Sequence, residues 1–320
     1  MTKTRKKNSD GNRLENYVGL LSDQWIQLHA RYPQILYHYT DGQGLLGMLK
    51  TQRLWASNIR FMNDPTEIEY ATRLVRAVAE ERRPNYPDEV VEVVRGGITD
   101  IADMYENIPE DYITCFCEKG DLLSQWRGYG AVGGGYALGF AAEHLGLHSA
   151  WPGGKLQPLL RKVIYSPKEQ KLLIRKWVEL LLDWEMVRRR DSDRSNETIN
   201  PVDVAWGNFN WFLSECLRCF KDPAYKEEQE WRVIRFGSSS SSDEKTVSDF
   251  RASRGRIIQF VELDLTESDK EYKGKLPLRV IRYGPTLDPR TAERSLRLLC
   301  NEKGYGKLTD IKRSGVPFSG

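Results

Sequence analysis

An α+β fold is predicted by three features of the chain. Short runs of strand-forming residues are scattered between residues 35 and 312, long helical stripes of apolar residues lie between them, and no internal repeat or shift in composition marks a domain boundary. Hydrophobic residues make up 40% of the 320 residues and aromatics 11%, including nine Trp and fifteen Tyr. That is enough apolar material for a large core, and too much for a chain disordered over most of its length. Residues 1–13 carry five Lys or Arg against one Asp and no apolar period, so they are expected to form a flexible basic tail, and residues 14–320 a single domain. The 48 Lys plus Arg and 45 Asp plus Glu leave a formal charge of +3, which excludes the strongly basic footprint of a DNA-coating protein. The longest apolar stretches, such as Val178-Glu179-Leu180-Leu181-Leu182, fall well short of the ~18 residues that a membrane span needs. The basic start leads into Asn8-Ser9-Asp10 rather than an apolar run, unlike a secretory signal. A cytoplasmic protein with no membrane partner and reduced cysteines is therefore expected.

The elements follow in order. From Asn16 to Tyr32 the apolar residues Tyr17, Leu20, Leu21, Trp25 and Leu28 recur at helical spacing and predict one amphipathic helix, ended by Pro33. Ile35-Leu36-Tyr37-His38-Tyr39-Thr40 is rich in strand formers and runs into the turn Asp41-Gly42, after which Leu45, Leu46, Met48 and Leu49 predict a short helix. After Leu54-Trp55-Ala56-Ser57, Asp64 reads as an N-cap, Pro65 as the first helical residue and Glu67 as its capping-box partner, opening a helix through Arg83. A helix over Asp88–Met104 and a strand over Tyr112–Cys117 come next, then a turn around Gln125-Trp126-Arg127-Gly128-Tyr129 and a strand over Tyr136–Phe140. Two long helices, Pro167–Arg190 and Val202–Phe220, occupy the centre. A strand over Glu230–Phe236 leads to the serine loop 238–242. Strands over Ile257–Leu263 and Leu278–Tyr283, a helix over Pro289–Glu302 and a strand near Thr309–Lys312 complete the chain.

Two clusters of polar residues stand out. In Lys226-Glu227-Glu228-Gln229-Glu230-Trp231-Arg232, read as the start of a strand, Glu228, Glu230 and Arg232 share one face because side chains alternate along a strand. A charged edge face accounts for this pattern, with Trp231 and Val233 in the core. So does a pair of carboxylates facing a cleft, one stabilising a cationic transition state while the other accepts a proton. The second cluster is Tyr37-His38-Tyr39-Thr40, where a histidine serving only the core is the plainer alternative.

Tyr37-His38-Tyr39-Thr40 resembles the first-strand signature of ADP-ribosyltransferases of the diphtheria-toxin and poly(ADP-ribose) polymerase type, which read His-Gly-Thr or His-Gly-Ser. The resemblance implies an ADP-ribosyltransferase-like split β-sheet core with large helical insertions, and NAD as substrate. His38 would hold a ribose hydroxyl, the main chain of Tyr39 the nicotinamide amide, and Thr40 a supporting contact. Tyr39 stands where those enzymes carry Gly, so its side chain must point away from the nicotinamide. Glu230 would engage the nicotinamide ribose, Glu228 would take the place of the first Glu of a Glu-x-Glu motif that assists the acceptor, and Tyr129 or Tyr136 would form the aromatic platform. Arg127, Lys221 and Arg232 are possible phosphate or target contacts.

The chain also resembles the bacterial domain of unknown function 2971 family from about Leu36 to Phe318. The resemblance rests on Tyr37-His38-Tyr39-Thr40, Leu54-Trp55, Asn63-Asp64-Pro65 with Glu67, Cys115-Phe116, Trp126 with Tyr129, Gly139-Phe140, Phe220-Lys221, Glu228 with Glu230-Trp231-Arg232, Gly284-Pro285 and Ser314 with Pro317-Phe318. A relationship of that family to ADP-ribosyltransferases implies a toxin or phage-defence effector acting on nucleic acid, RNA or DNA, with a neutralising antitoxin as partner. The basic tail and Arg188-Arg189-Arg190 are compatible with a nucleic-acid acceptor. A non-catalytic sensor that binds a nucleotide or macromolecule is the alternative. No metal is expected: Cys115-Phe116-Cys117 and Cys216-Leu217-Arg218-Cys219 lack the Gly or Pro of a zinc knuckle and read as buried thiols. The glycines of 128–139 lack the Gly-Lys-Ser/Thr of a P-loop, and neither Gly-x-Ser-x-Gly nor His-Glu-x-x-His occurs.

Overall fold

The computed structural model describes residues 16–317 apart from 18, 22, 26, 63–65, 108–110, 130–133, 147–157, 191–200, 237–246, 254, 266–271, 273 and 308. The basic tail, the Asp64-Pro65 cap and the serine loop therefore lie outside the described residues. The protein is a mixed α+β structure with a large open sheet and several helices. Among the described residues no helix is long and apolar enough to cross a membrane. The chain divides into two units, one of residues 29–63, 110–162 and 226–320, the other of residues 1–28, 64–109 and 163–225.

The first unit is built on a ten-stranded mixed sheet. Its strands are β1 (Ile35–Thr40), β2 (Leu54–Asn58), β3 (Tyr112–Cys117), β4 (Tyr136–Ala141) and β5 (Leu159–Lys162). They are followed by β6 (Glu230–Arg235), β7 (Ser248–Ser253), β8 (Arg256–Leu263), β9 (Leu278–Tyr283) and β10 (Asp310–Arg313). β5 and β7 have no counterpart among the sequence expectations. β7 alternates without a hydrophobic face, and β5 is only four residues long.

β3 is the junction of the sheet. β6 pairs with it along its full length, from Tyr112↔Arg235 to Cys117↔Glu230. A strand has two edges, so β1 and β2 share the other one end to end: β2 registers at Ser57↔Ile113 and Asn58↔Tyr112, and β1 at Tyr37↔Cys117. The sheet forks there, with β4, β9 and β10 continuing from β1 and β8 and β7 from β2. This position explains why β3 is buried at almost every residue instead of alternating. Leu36, Leu45, Phe116, Phe140, Trp231 and Leu263 belong to the core that covers the sheet.

Three helices serve this unit. Asp41 caps the helix Gly42–Thr51 by accepting from the Gly44 N–H at 2.8 Å. Asp288 caps Pro289–Glu302 in the same way at the Thr291 N–H, with Pro at the first position. The third corrects an expectation: residues 123–129 form the helix Leu123–Tyr129 rather than a turn. Buried Trp126 anchors it, its Nε1–H donating to Asp121 at 2.9 Å.

The second unit is helical, with Glu67–Ala79, Asp88–Asn107, Pro167–Arg190, Pro201–Cys219 and the helical residues between 16 and 28. Trp177 stacks on Phe212 at 5.1 Å in its interior, and Trp25 meets the same Phe edge-on while its indole donates to Glu215 at 2.5 Å. The helix expected from Pro65 through Arg83 instead spans Glu67–Ala79, with Thr66 at the N-cap. Glu67 is buried and paired with Lys221 at 3.0 Å, and the cap residue Asp64 to which it would reach back lies outside the described residues.

Candidate functional site

The fork of the sheet leaves a small, partly open cavity. β1 supplies Tyr37, His38 and Tyr39 to its wall, β3 supplies Cys115, Phe116 and Cys117, and the opposite side is formed by Gln125, Tyr129, Glu228 and Glu230. Residues nearly two hundred positions apart thus meet because β1 and β6 flank the two edges of β3.

His38 occupies the point where the ladder between β1 and β3 ends. Continuing the register from Tyr37↔Cys117 would bring the backbone of Tyr39 opposite Cys115; instead the His38 ring bonds the Cys115 carbonyl at 2.9 Å through Nδ1. A carbonyl only accepts, so Nδ1 carries the proton. Burial pushes the imidazole pKa down to about 4; the bond to Cys115 opposes this, and the charge of Arg251 adds to it. The ring is therefore neutral at pH 7, and its Nε2 has no bond to a described residue and is an acceptor for a hydroxyl donor.

Tyr39 plays a different part. Its ring packs edge-on against Trp126 at 4.9 Å, and its hydroxyl donates to the Lys119 carbonyl at 2.9 Å while accepting from the Leu122 N–H at 3.0 Å. These bonds tie the segment before the helix Leu123–Tyr129 to β1, and so help to set Gln125 and Tyr129 at the cavity. Asp121 completes the anchorage, accepting from Trp126, from Ser314 Oγ at 2.6 Å and from the Gly315 N–H at 2.8 Å. Burial alone would raise the Asp121 carboxyl, but those donors and Arg282 together hold it below its usual range.

The Glu-x-Glu segment departs from the strand geometry expected of it. Glu228 ends a 3₁₀ helix, Pro223–Glu228, and Gln229 takes the left-handed conformation at φ 43° before β6 begins at Glu230. The two carboxylates still line one cavity, but a turn brings them there and not strand alternation. Glu230 is buried and held by buried Arg232 through Nε at 2.8 Å and Nη2 at 3.0 Å. Cys117, opposite Glu230 in the ladder, is a thiol whose pKa burial pushes up to about 11, so it is protonated at neutral pH.

Of the other residues singled out from the sequence, Tyr129 lines the cavity, whereas Thr40 and Tyr136 face one another across β1 and β4 and are not part of its wall. Arg127 is exposed on the short helix. Lys221 belongs to the helical unit, where it pairs with Glu67 and lies 4.9 Å over the Tyr225 ring. Tyr37 and Gln125 line the cavity without having been singled out for it. Tyr37 has a legible signal in retrospect: a Cβ added at Gly120 or Gly139 would come within 2.4 or 2.8 Å of its ring, so these glycines make its bed.

These features define an α+β protein with a polar and aromatic cavity at the fork of its sheet. Residues 125–233 match the family model described as Protein of unknown function (DUF2971). The matched stretch contains Gln125, Tyr129, Glu228 and Glu230 of the cavity, while His38 precedes it. No curated protein and no solved structure matches the chain.

Proposed function

We propose that the protein is an NAD-dependent ADP-ribosyltransferase, a toxin or phage-defence effector that modifies RNA or DNA. The observation that supports this reading is the convergence of His38, Glu228 and Glu230 on one cavity also lined by Tyr37, Tyr39 and Tyr129. His38 Nε2 would accept from a ribose hydroxyl. Glu230, fixed by Arg232, would stabilise positive charge developing on the nicotinamide ribose. The glycosidic bond to nicotinamide breaks with its electron pair leaving on the nicotinamide nitrogen, the bond from the acceptor to the ribose carbon forms, and Glu228 takes the acceptor's proton. The Tyr39 side chain is committed to Lys119 and Leu122, so that any contact of this residue with the nicotinamide amide would be made by its main chain.

The Glu230–Arg232 pair also supports a second reading, a non-catalytic sensor in which that carboxylate is structural. Purified protein incubated with labelled NAD and separate pools of DNA, RNA and cell protein distinguishes the two. Label transferred to a nucleic-acid pool by the wild type, and lost in folded Glu230→Gln, supports the transferase; no label in any pool favours the sensor. An antitoxin would be sought as a protein that abolishes the transfer.

A further inference from the structure

Arg251 on β7 is a partly buried cation without a carboxylate partner among the described residues. Its Nη2 donates to Ser57 Oγ at 3.0 Å, and its guanidinium lies 5.7 Å over the Trp55 ring. Its Nε is fully buried with no acceptor, and no ion pair to Arg251 exists among the described residues. The carboxylate whose field it feels, Asp41, is engaged in capping the helix Gly42–Thr51 and is not within ion-pair distance. Burial accordingly lowers the guanidinium pKa, with Asp41 opposing. Withdrawing a charge from water without pairing it costs stability. An aromatic face and one hydroxyl offset part of that cost and leave donors to spare.

We propose that Arg251, with Ser57 beside it, binds a phosphate group. Guanidinium is suited to this task because its planar set of donors matches phosphate oxygens, and stacking on Trp55 holds its plane. The identity of the ligand as a dinucleotide rests on the transferase reading; the anion site itself does not. Arg251 was not among the candidates drawn from the sequence, since β7 carries no recognisable strand pattern and the residue lies far from Trp55 and Ser57 along the chain.

Calorimetric titration of inorganic pyrophosphate at low ionic strength tests the assignment on the full chain, with wild type, Arg251→Gln, Arg251→Lys and the exposed control Arg297→Gln compared and their folding matched by circular dichroism. Pyrophosphate affinity should fall at least tenfold in Arg251→Gln, fall less in Arg251→Lys, and stay unchanged in Arg297→Gln. Equal affinity in wild type and Arg251→Gln overturns the proposal, as does wild type that binds no pyrophosphate at millimolar concentration. Should Arg251→Gln fail to fold, Arg251→Lys decides: weaker binding than wild type supports the site, equal binding overturns it. NAD titrated in parallel separates the two readings, since Arg251-dependent pyrophosphate binding without NAD binding retains the phosphate site and removes the dinucleotide.

Discussion

Protonating His38 would place a second positive charge near Arg251 in a site largely withdrawn from water, and the folded protein resists it. The unfolded chain takes up this proton near pH 6.5, the folded chain near pH 4. Between those values the unfolded state binds more protons, so stability falls as pH falls; above the window the contribution is fully present, and below it no further change comes from this group. The full effect is about 3 kcal/mol. Buried His29, held low by burial and then by Arg161 and Lys162, acts in the same direction. Urea unfolding at pH 7 and pH 5 should therefore show a smaller loss of stability in His38→Gln than in wild type. An equal loss in both proteins would mean that the His38 ring is solvated and free to titrate. The conclusion that Nε2 is an acceptor follows from the same desolvation, and could not be read from the tetrapeptide Tyr37-His38-Tyr39-Thr40 alone.

At the scale of elements, the site depends on how closely strands and loop approach one another around Tyr37. Gly139 lies directly opposite Tyr37 in the β1–β4 ladder, and Gly120 approaches the same ring from the loop after β3. Gly139→Ala should cost about 1–3 kcal/mol by overpacking. The cost should shrink in a Tyr37→Ala background, although Ile35 also lies within 2.9 Å of the added carbon. Chemical denaturation of the four proteins of this cycle measures the coupling, and purely additive effects would refute the packing argument. β1 and β9 occupy the spans that their strand-forming residues predict, as do the helices Pro167–Arg190 and Pro289–Glu302, because local pattern and burial agree there. The pattern misleads where tertiary packing or a single backbone angle intervenes. Trp126 winds residues 123–129 into a helix around the Asp121 anchor, and Gln229 separates Glu228 from the strand that carries Glu230. The meeting of His38 with Glu230 was foreseen only through a family resemblance, since no local signal specifies that β1 and β6 take opposite edges of β3.

The whole molecule divides its charged residues between two kinds of work. In the helical unit, Lys221 and Glu67 form a buried pair at 3.0 Å, so a lysine that looked available for phosphate from the sequence is committed to a carboxylate. Lys221→Met should destabilise the protein by about 3 kcal/mol by removing the cation that faces buried Glu67. Adding Glu67→Leu should recover much of that loss, as urea midpoints would register; a double variant no better than the single one would show that the pair is not the reason for the cost. In the sheet unit, by contrast, Arg251 has no such partner among the described residues and His38 Nε2 accepts from none of them, a pattern that suits the proposed binding of a polar ligand. The most direct test of the account is the rate of nicotinamide release from NAD, measured for wild type and folded Glu230→Gln in the presence of RNA and DNA. The account predicts release by the wild type and at least a hundredfold loss in the variant. Equal rates in the two proteins, or no release by either, would contradict it.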